Sequence, residues 1–190
     1  LSHLLLLAAG GLALRLATHA TTRTAALFFT ACSLAYLSRP DLLVMLLPLA
    51  AWASWRSWRT LRHGLWRAWA IGALPALLWS LFSLYYYGFP FPNTAYAKLG
   101  AGIAWAERVS QGLHYLAQSL DHDPLTVAFI GLGAVVGARG GPVPRALAAG
   151  LGLHLAYTVH IGGDFMEGRF LTVPLLVAAL LVALTPWSLP

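Results

Sequence analysis

Seven apolar runs, at residues 4–16, 24–37, 42–55, 66–87, 125–138, 146–160 and 170–186, alternate with short polar links along the chain. A membrane-crossing helix takes about 17–25 mostly apolar residues. Runs 66–87 and 170–186 are long enough for that and carry no charge in their interiors. The shorter runs fit as tilted, partly buried or re-entrant helices inside a bundle. Pro48, Pro75 and Pro174 fall within runs and predict kinks. The expected fold is all-α: a polytopic transmembrane helical bundle of about seven membrane segments, one domain over residues 1–190.

The stretch 88–124 is too long for a simple connector in a compact bundle. Within it Ile103, Ala106, Val109, Leu113, Leu116 and Ala117 recur at helical spacing, opposite Glu107, Arg108, Gln111 and Gln118. This predicts an amphipathic helix, lying on the outer membrane surface or packed against the bundle.

Arginines set the expected orientation. Arg56, Arg59, Arg62 and Arg67 crowd the link after the third run, and Arg139 and Arg145 flank the link after the fifth. Both links are therefore expected inside, together with Arg15, His19 and Arg23. Counting spans then puts 38–41, 88–124 and 161–169 on the outer face. The expectation is a multi-pass protein of the plasma (inner) membrane with its polar loops outward.

Composition agrees with lipid as the solvent. Mean hydropathy is +0.71, hydrophobic residues make up 59% and charged residues only 9%, against about a quarter charged in a soluble domain. The net charge of +6 would suggest nucleic acid in a soluble protein, but here the arginines are topological and no nucleic acid is expected as a partner. The single cysteine, Cys32, lies in an apolar run and reads as a packed helix residue. Residue 1 is not Met and stands in an apolar run without a basic leader or cleavage site, so the chain is expected to be part of a longer protein.

Candidate chemistry concentrates in two places. In 85–100, Gly88-Phe89-Pro90-Phe91-Pro92-Asn93 must leave the helix, since two prolines separated by one residue remove donors and force extended backbone. Thr94, Tyr96 and Lys98, the only lysine, follow. The segment reads either as a Pro-rich turn with an interfacial aromatic belt or as a sugar or phosphate pocket with Lys98 facing an anion. In 160–170, Gly162 and Gly163 precede Asp164, Glu167 and Arg169. Carboxylate and guanidinium there can bind sugar hydroxyls and phosphate, or can form a structural ion pair.

Arg39-Pro40-Asp41 makes a third outer cluster, a local salt bridge in its simplest reading. Asp121-His122-Asp123 offers metal-compatible residues, but neighbouring side chains diverge, so no metal site is assigned. His154 and His160 read as core or boundary histidines. Trp52, Trp55, Trp58, Trp66 and Trp69 read as an interfacial belt.

Together, YYGFPFPNTAYAKL at 86–99, HIGGDFMEGRFLTVP at 160–174 and SRPD at 38–41 resemble the polytopic GT-C glycosyltransferases, most nearly the membrane arabinofuranosyltransferases of cell-wall arabinan. The likeness extends over residues 34–174. It implies transfer of a sugar, with inversion, from a polyprenyl-phosphate donor to a cell-envelope glycan acceptor on the outer face. By position it implicates Asn93, Thr94, Tyr96 and Lys98; Gly163, Asp164, Glu167 and Arg169; and Arg39 and Asp41 in substrate binding. Such enzymes carry their general base in a first outer loop, which is expected upstream of residue 1, with Asp164 as the second choice. No cofactor is required by the residues, and the resemblance leaves a divalent metal open. The alternatives are a transporter or flippase for a lipid-linked sugar, or a non-catalytic membrane subunit.

Overall fold

The computed structural model describes residues 1–90, 96, 102–164, 166 and 168–185. Every regular element among them is helical: α1 (Ser2–Thr18), α2 (Thr22–Ser38), α3 (Asp41–Leu61), α4 (His63–Tyr87), α5 (Trp105–His122), α6 (Pro124–Arg139), α7 (Pro142–His160) and α8 (Thr172–Ala183). The chain divides into two compact units, Leu1–Ala97 and Lys98–Pro190.

In the first unit α2 is the centre, packed on α1, α3 and α4. Phe28, Leu6, Leu16, Leu42, Met45, Leu46, Leu49 and Leu65 fill its core. Neighbours in sequence run antiparallel: Ser2 Oγ meets Ser38 Oγ at 2.8 Å at one end, and Arg56 Nη2 donates to the Ala17 carbonyl at 3.4 Å at the other. α4 runs alongside α2 because glycine lets the backbones touch. Gly72 faces Phe29, and a Cβ there would stand 2.9 Å from the Phe29 carbonyl carbon. One turn on, the Ala76 N–H donates to Ser33 Oγ at 2.9 Å. Pro75 disturbs the helical ladder at this point, and a side chain from α2 takes up the neighbouring donor.

This order gathers Arg15, Arg23, Arg56, Arg59, Arg62 and Arg67 at one end of the unit, with Arg39, Asp41 and Gly88 at the other. Thr21 opens α2 by accepting from Thr24 N at 3.1 Å, and Gly88 closes α4 at φ +75°, where a side chain would be strained.

In the second unit α6, α7 and α8 pack together through small residues. Gly133 lies against Ala178, and Gly137 against Leu181 and Ala148. Ile130, Leu147, Leu151, Val173, Val177 and Leu181 are buried between them. α5 lies on α7 and α6 through Gly112, Tyr115 and Ser119, its buried residues. The expected amphipathic helix is present, but its packed side is this small-and-polar stripe, while Leu113, Leu120 and Trp105 stay exposed.

Run 170–186, expected as a full span, yields only the 12-residue α8. Phe170 and Leu171 stand in the turn before it because Tyr115 and His154 hold the Phe170 backbone out of the helix. Pro174 consequently sits in the first turn of α8, where its missing N–H would have had no intrahelical partner, and not at an interior kink. Among the described residues α4 is long and apolar enough to cross a membrane, while α1, α6 and α8 are apolar but shorter, at 17, 16 and 12 residues.

Candidate functional site

The loop between α7 and α8 is built from its backbone outward. At the end of α7, Gly162 N donates to Val159 O at 3.2 Å and Gly163 N to Thr158 O at 2.9 Å, which ends the helix in a tight reversal. Both glycines have positive φ, +82° and +71°, a region costly to other residues. Gly163 presses on the Tyr115 ring, so that a Cβ would come within 2.7 Å of Tyr115 Cβ and Cγ. This reversal turns Asp164 back toward α5.

The far side of the loop is fixed by Phe170. Its N–H donates to Tyr115 Oη at 3.2 Å, and its carbonyl lies 3.3 Å from His154 Nε2. A carbonyl only accepts, so His154 carries its proton on Nε2 in this contact. His154 is wholly buried in the core of α7. It is the core histidine that its apolar neighbours predict, and it also anchors the loop that presents Asp164 and Arg169.

Between these anchors Arg169 Nη1 donates to Asp164 Oδ2 at 3.3 Å. The two ends of the pair differ sharply, since the Asp164 side chain is 5% exposed and that of Arg169 54% exposed. A single long contact to an exposed guanidinium is weak, so Arg169 can turn to another anion at little cost. Asp164 lines a cavity of about 300 Å³ with Ser110, Gln111, His114, Tyr115, Gln118 and Gly162. Arg169 lines a second cavity of about 440 Å³ with Ser119, His122, Asp123, Thr126, Gly168, Leu171, Thr172 and Leu175. Both fall in the range of small-ligand sites, about 300–1,000 Å³. The first is walled by hydroxyl, amide, imidazole and carboxylate groups suited to sugar hydroxyls. The second sets one cation, Arg169, and one carboxylate, Asp123, beside the apolar side chains of Leu171 and Leu175.

Asp123 is committed to structure. Its Oδ1 accepts from Thr126 N at 3.0 Å and caps α6. The Thr126 side chain, then its backbone N–H, hold the Asp123 carboxyl below its ordinary value. Among the described residues no three of His, Cys, Asp and Glu converge in a way that could hold a metal ion.

Of the sequence-predicted residues, Gly163, Asp164 and Arg169 come together in the second unit. Arg39 and Asp41 pair in the first, Nε to Oδ1 at 3.2 Å and Nη2 to Oδ2 at 2.7 Å, with side chains 22% and 10% exposed. That bidentate fork at the start of α3 is the local salt bridge expected from two charges flanking a proline. Tyr96 is exposed, its ring 5.7 Å from Phe89, and the Phe89 carbonyl accepts from Ser83 Oγ at 2.7 Å. Asn93, Thr94, Lys98 and Glu167 lie outside the described residues.

Sequence reasoning missed Tyr115, His114 and Ser110. The available signal was the Gly112-Tyr115-Ser119 stripe at helical spacing, a face too polar to be sought as a packing surface. No protein family, curated protein or solved structure matches the chain.

Proposed function

We propose that the chain forms the donor-binding part of a membrane glycosyltransferase, moving a sugar from a polyprenyl-phosphate carrier to a hydroxyl of a cell-envelope glycan. One observation carries the reading: in a segment whose sequence resembles that enzyme class, a buried carboxylate and an exposed guanidinium stand 3.3 Å apart, each lining a cavity.

The membrane placement is supported by α4. Ile71, Leu74, Leu77, Leu78, Trp79, Leu81, Phe82 and Leu84 are all 46–61% exposed on one helix, an apolar surface suited to lipid. The separation of six arginines from the Arg39–Asp41 end of the first unit supports an inside and an outside. The remaining spans and the outward loops belong to the proposal.

In the reaction the sugar C1–O bond to the carrier phosphate breaks and a new bond forms from the acceptor oxygen to C1, with inversion. The acceptor proton passes to a base and polyprenyl phosphate leaves with added negative charge. Arg169, with Lys98 by sequence, meets that growing charge, so its attraction is greater in the transition state than in the ground state. Asp164, shielded from water, accepts hydrogen bonds from sugar hydroxyls and fixes the angle of attack. Gln111, Gln118 and His114 supply further polar groups along the same cavity.

The test is transfer by the full-length protein reconstituted in vesicles, supplied with a labelled polyprenyl-phosphoryl arabinofuranose and an arabinan oligosaccharide. The expected result is a new glycosidic product, with kcat/KM reduced roughly a hundredfold in Asp164→Asn and Lys98→Ala. Normal turnover in both variants would remove the assigned roles. Movement of the labelled lipid across the bilayer without product would make the protein a carrier, and neither activity would make it a non-catalytic subunit.

A further inference from the structure

The first unit ends, opposite Arg39 and Asp41, in a charge imbalance that the chain does not resolve within that unit. Arg15, Arg23, Arg56, Arg59, Arg62 and Arg67 gather there, while the unit's one carboxylate, Asp41, is forked onto Arg39 at the other end. Arg56 is occupied by Thr60 Oγ1 at 2.7 Å and by the Ala17 carbonyl. Arg59 rests on the Trp55 ring, 5.4 Å from its centroid. Beside it the α3–α4 turn borders an open cavity of about 530 Å³ lined by Trp58, Arg59, Arg62, His63 and Trp66. Trp58 and Trp66 meet edge to face at 6.2 Å and are both more than half exposed. Arg62 stands at φ +43°, the one described non-glycine residue with positive φ, so the turn holds a side chain in a conformation that L residues avoid.

Two guanidinium groups, an imidazole and two indoles around one cavity make a receptor for a phosphodiester whose ester chains continue into apolar surroundings. Guanidinium binds phosphate oxygens bidentately, and indoles favour the headgroup level of a bilayer. We propose that this cavity binds the phosphate of an anionic phospholipid, such as phosphatidylglycerol, in the leaflet that the arginine end of the first unit faces. The inference rests on the membrane placement proposed above but not on the glycosyltransferase reading.

The experiment is native mass spectrometry of the protein extracted from vesicles of 3:1 phosphatidylcholine and phosphatidylglycerol, after carbonate washing has tested whether the chain is integral. Release by carbonate would refute the membrane placement itself. With the chain retained, phosphatidylglycerol is expected to stay bound at least tenfold more than phosphatidylcholine. Arg59→Gln/Arg62→Gln should lower that preference ten- to thirtyfold, and Arg59→Gln alone, which leaves the Arg62 turn intact, severalfold. Arg15→Gln/Arg23→Gln, removing equal charge outside the cavity, should change it less than threefold. Equal retention of the two lipids, an unchanged preference in the cavity variants, or an equal loss in the control would overturn the site. Displacement of the lipid by millimolar inorganic phosphate would assign the cavity to a soluble anion instead.

Discussion

Replacing each of three loop glycines by alanine separates backbone strain from contact at the Asp164 loop. Gly162, Gly163 and Gly168 share nearly the same backbone, with φ of +82°, +71° and +70°, so each alanine meets a left-handed cost of about 1–2 kcal/mol. Loss of unfolded-state freedom returns about 0.4–1 kcal/mol in each case. The surroundings differ. A Cβ at Gly168 meets nothing within 4 Å, one at Gly162 comes 3.3 Å from the flexible Gln111 Oε1, and one at Gly163 comes 2.7 Å from Tyr115 Cβ and Cγ.

Tyr115 cannot step aside, because its ring is buried and its hydroxyl holds the Phe170 N–H. Overpacking against it adds about 1–3 kcal/mol. Gly168→Ala should therefore cost about 0.5–1 kcal/mol and Gly163→Ala about 2–4 kcal/mol, with Gly162→Ala between them. Native-state hydrogen exchange of the peptide covering 160–170 reads this directly. Its opening constant should rise a few fold for Gly168→Ala and roughly 30- to 1,000-fold for Gly163→Ala. If Gly163→Ala exchanges no faster than Gly168→Ala, Tyr115 does not brace the loop and Asp164 is held in some other way.

Gly72→Ala should push α4 off α2, since the atoms it meets are Phe29 Cβ and backbone; about 1–3 kcal/mol of overpacking against about 1 kcal/mol of helix propensity should raise the maleimide labelling rate of buried Cys32 several- to thirtyfold. Gly11→Ala, with open space around it, should leave that rate unchanged or slower. Ser33→Ala strands the Ala76 N–H and should lower unfolding free energy by about 1–3 kcal/mol in mixed-micelle denaturation. The Asp123 carboxyl is held below its ordinary value in the fold by Thr126, so its contribution is complete above the unfolded value near about 3.9 and is lost as pH falls through the lowered folded value. Asp123→Asn keeps a capping oxygen that does not titrate, and its melting temperature should fall less than wild type's below about pH 4.

Much of the local structure was legible in the chain. Apolar runs bounded by arginine, proline and glycine specify helices through local preference and burial, and each of the seven lies wholly or largely within one. The Arg39–Asp41 pair was legible because its partners are two residues apart. The boundary of α8 was not. Phe170 continues the apolar pattern without a break, and the contacts that hold its backbone out of the helix come from Tyr115, 55 residues away, and from His154.

The candidate site divides along the same line. The sequence by itself determined which residue types stand between the apolar runs, and so that Asp164 and Arg169 share one short loop. Tertiary packing alone decided that Asp164 is buried against α5 while Arg169 faces outward, and that Gln111, His114 and Tyr115 line the cavity beside the carboxylate. The reason is physical: helical periodicity is set by neighbours three and four residues apart, whereas the Gly163–Tyr115 contact joins positions separated by a whole helix pair. It exists only because α5 lays its glycine at position 112 on Val159 of α7, bringing the two backbones close enough for one loop to rest on one ring.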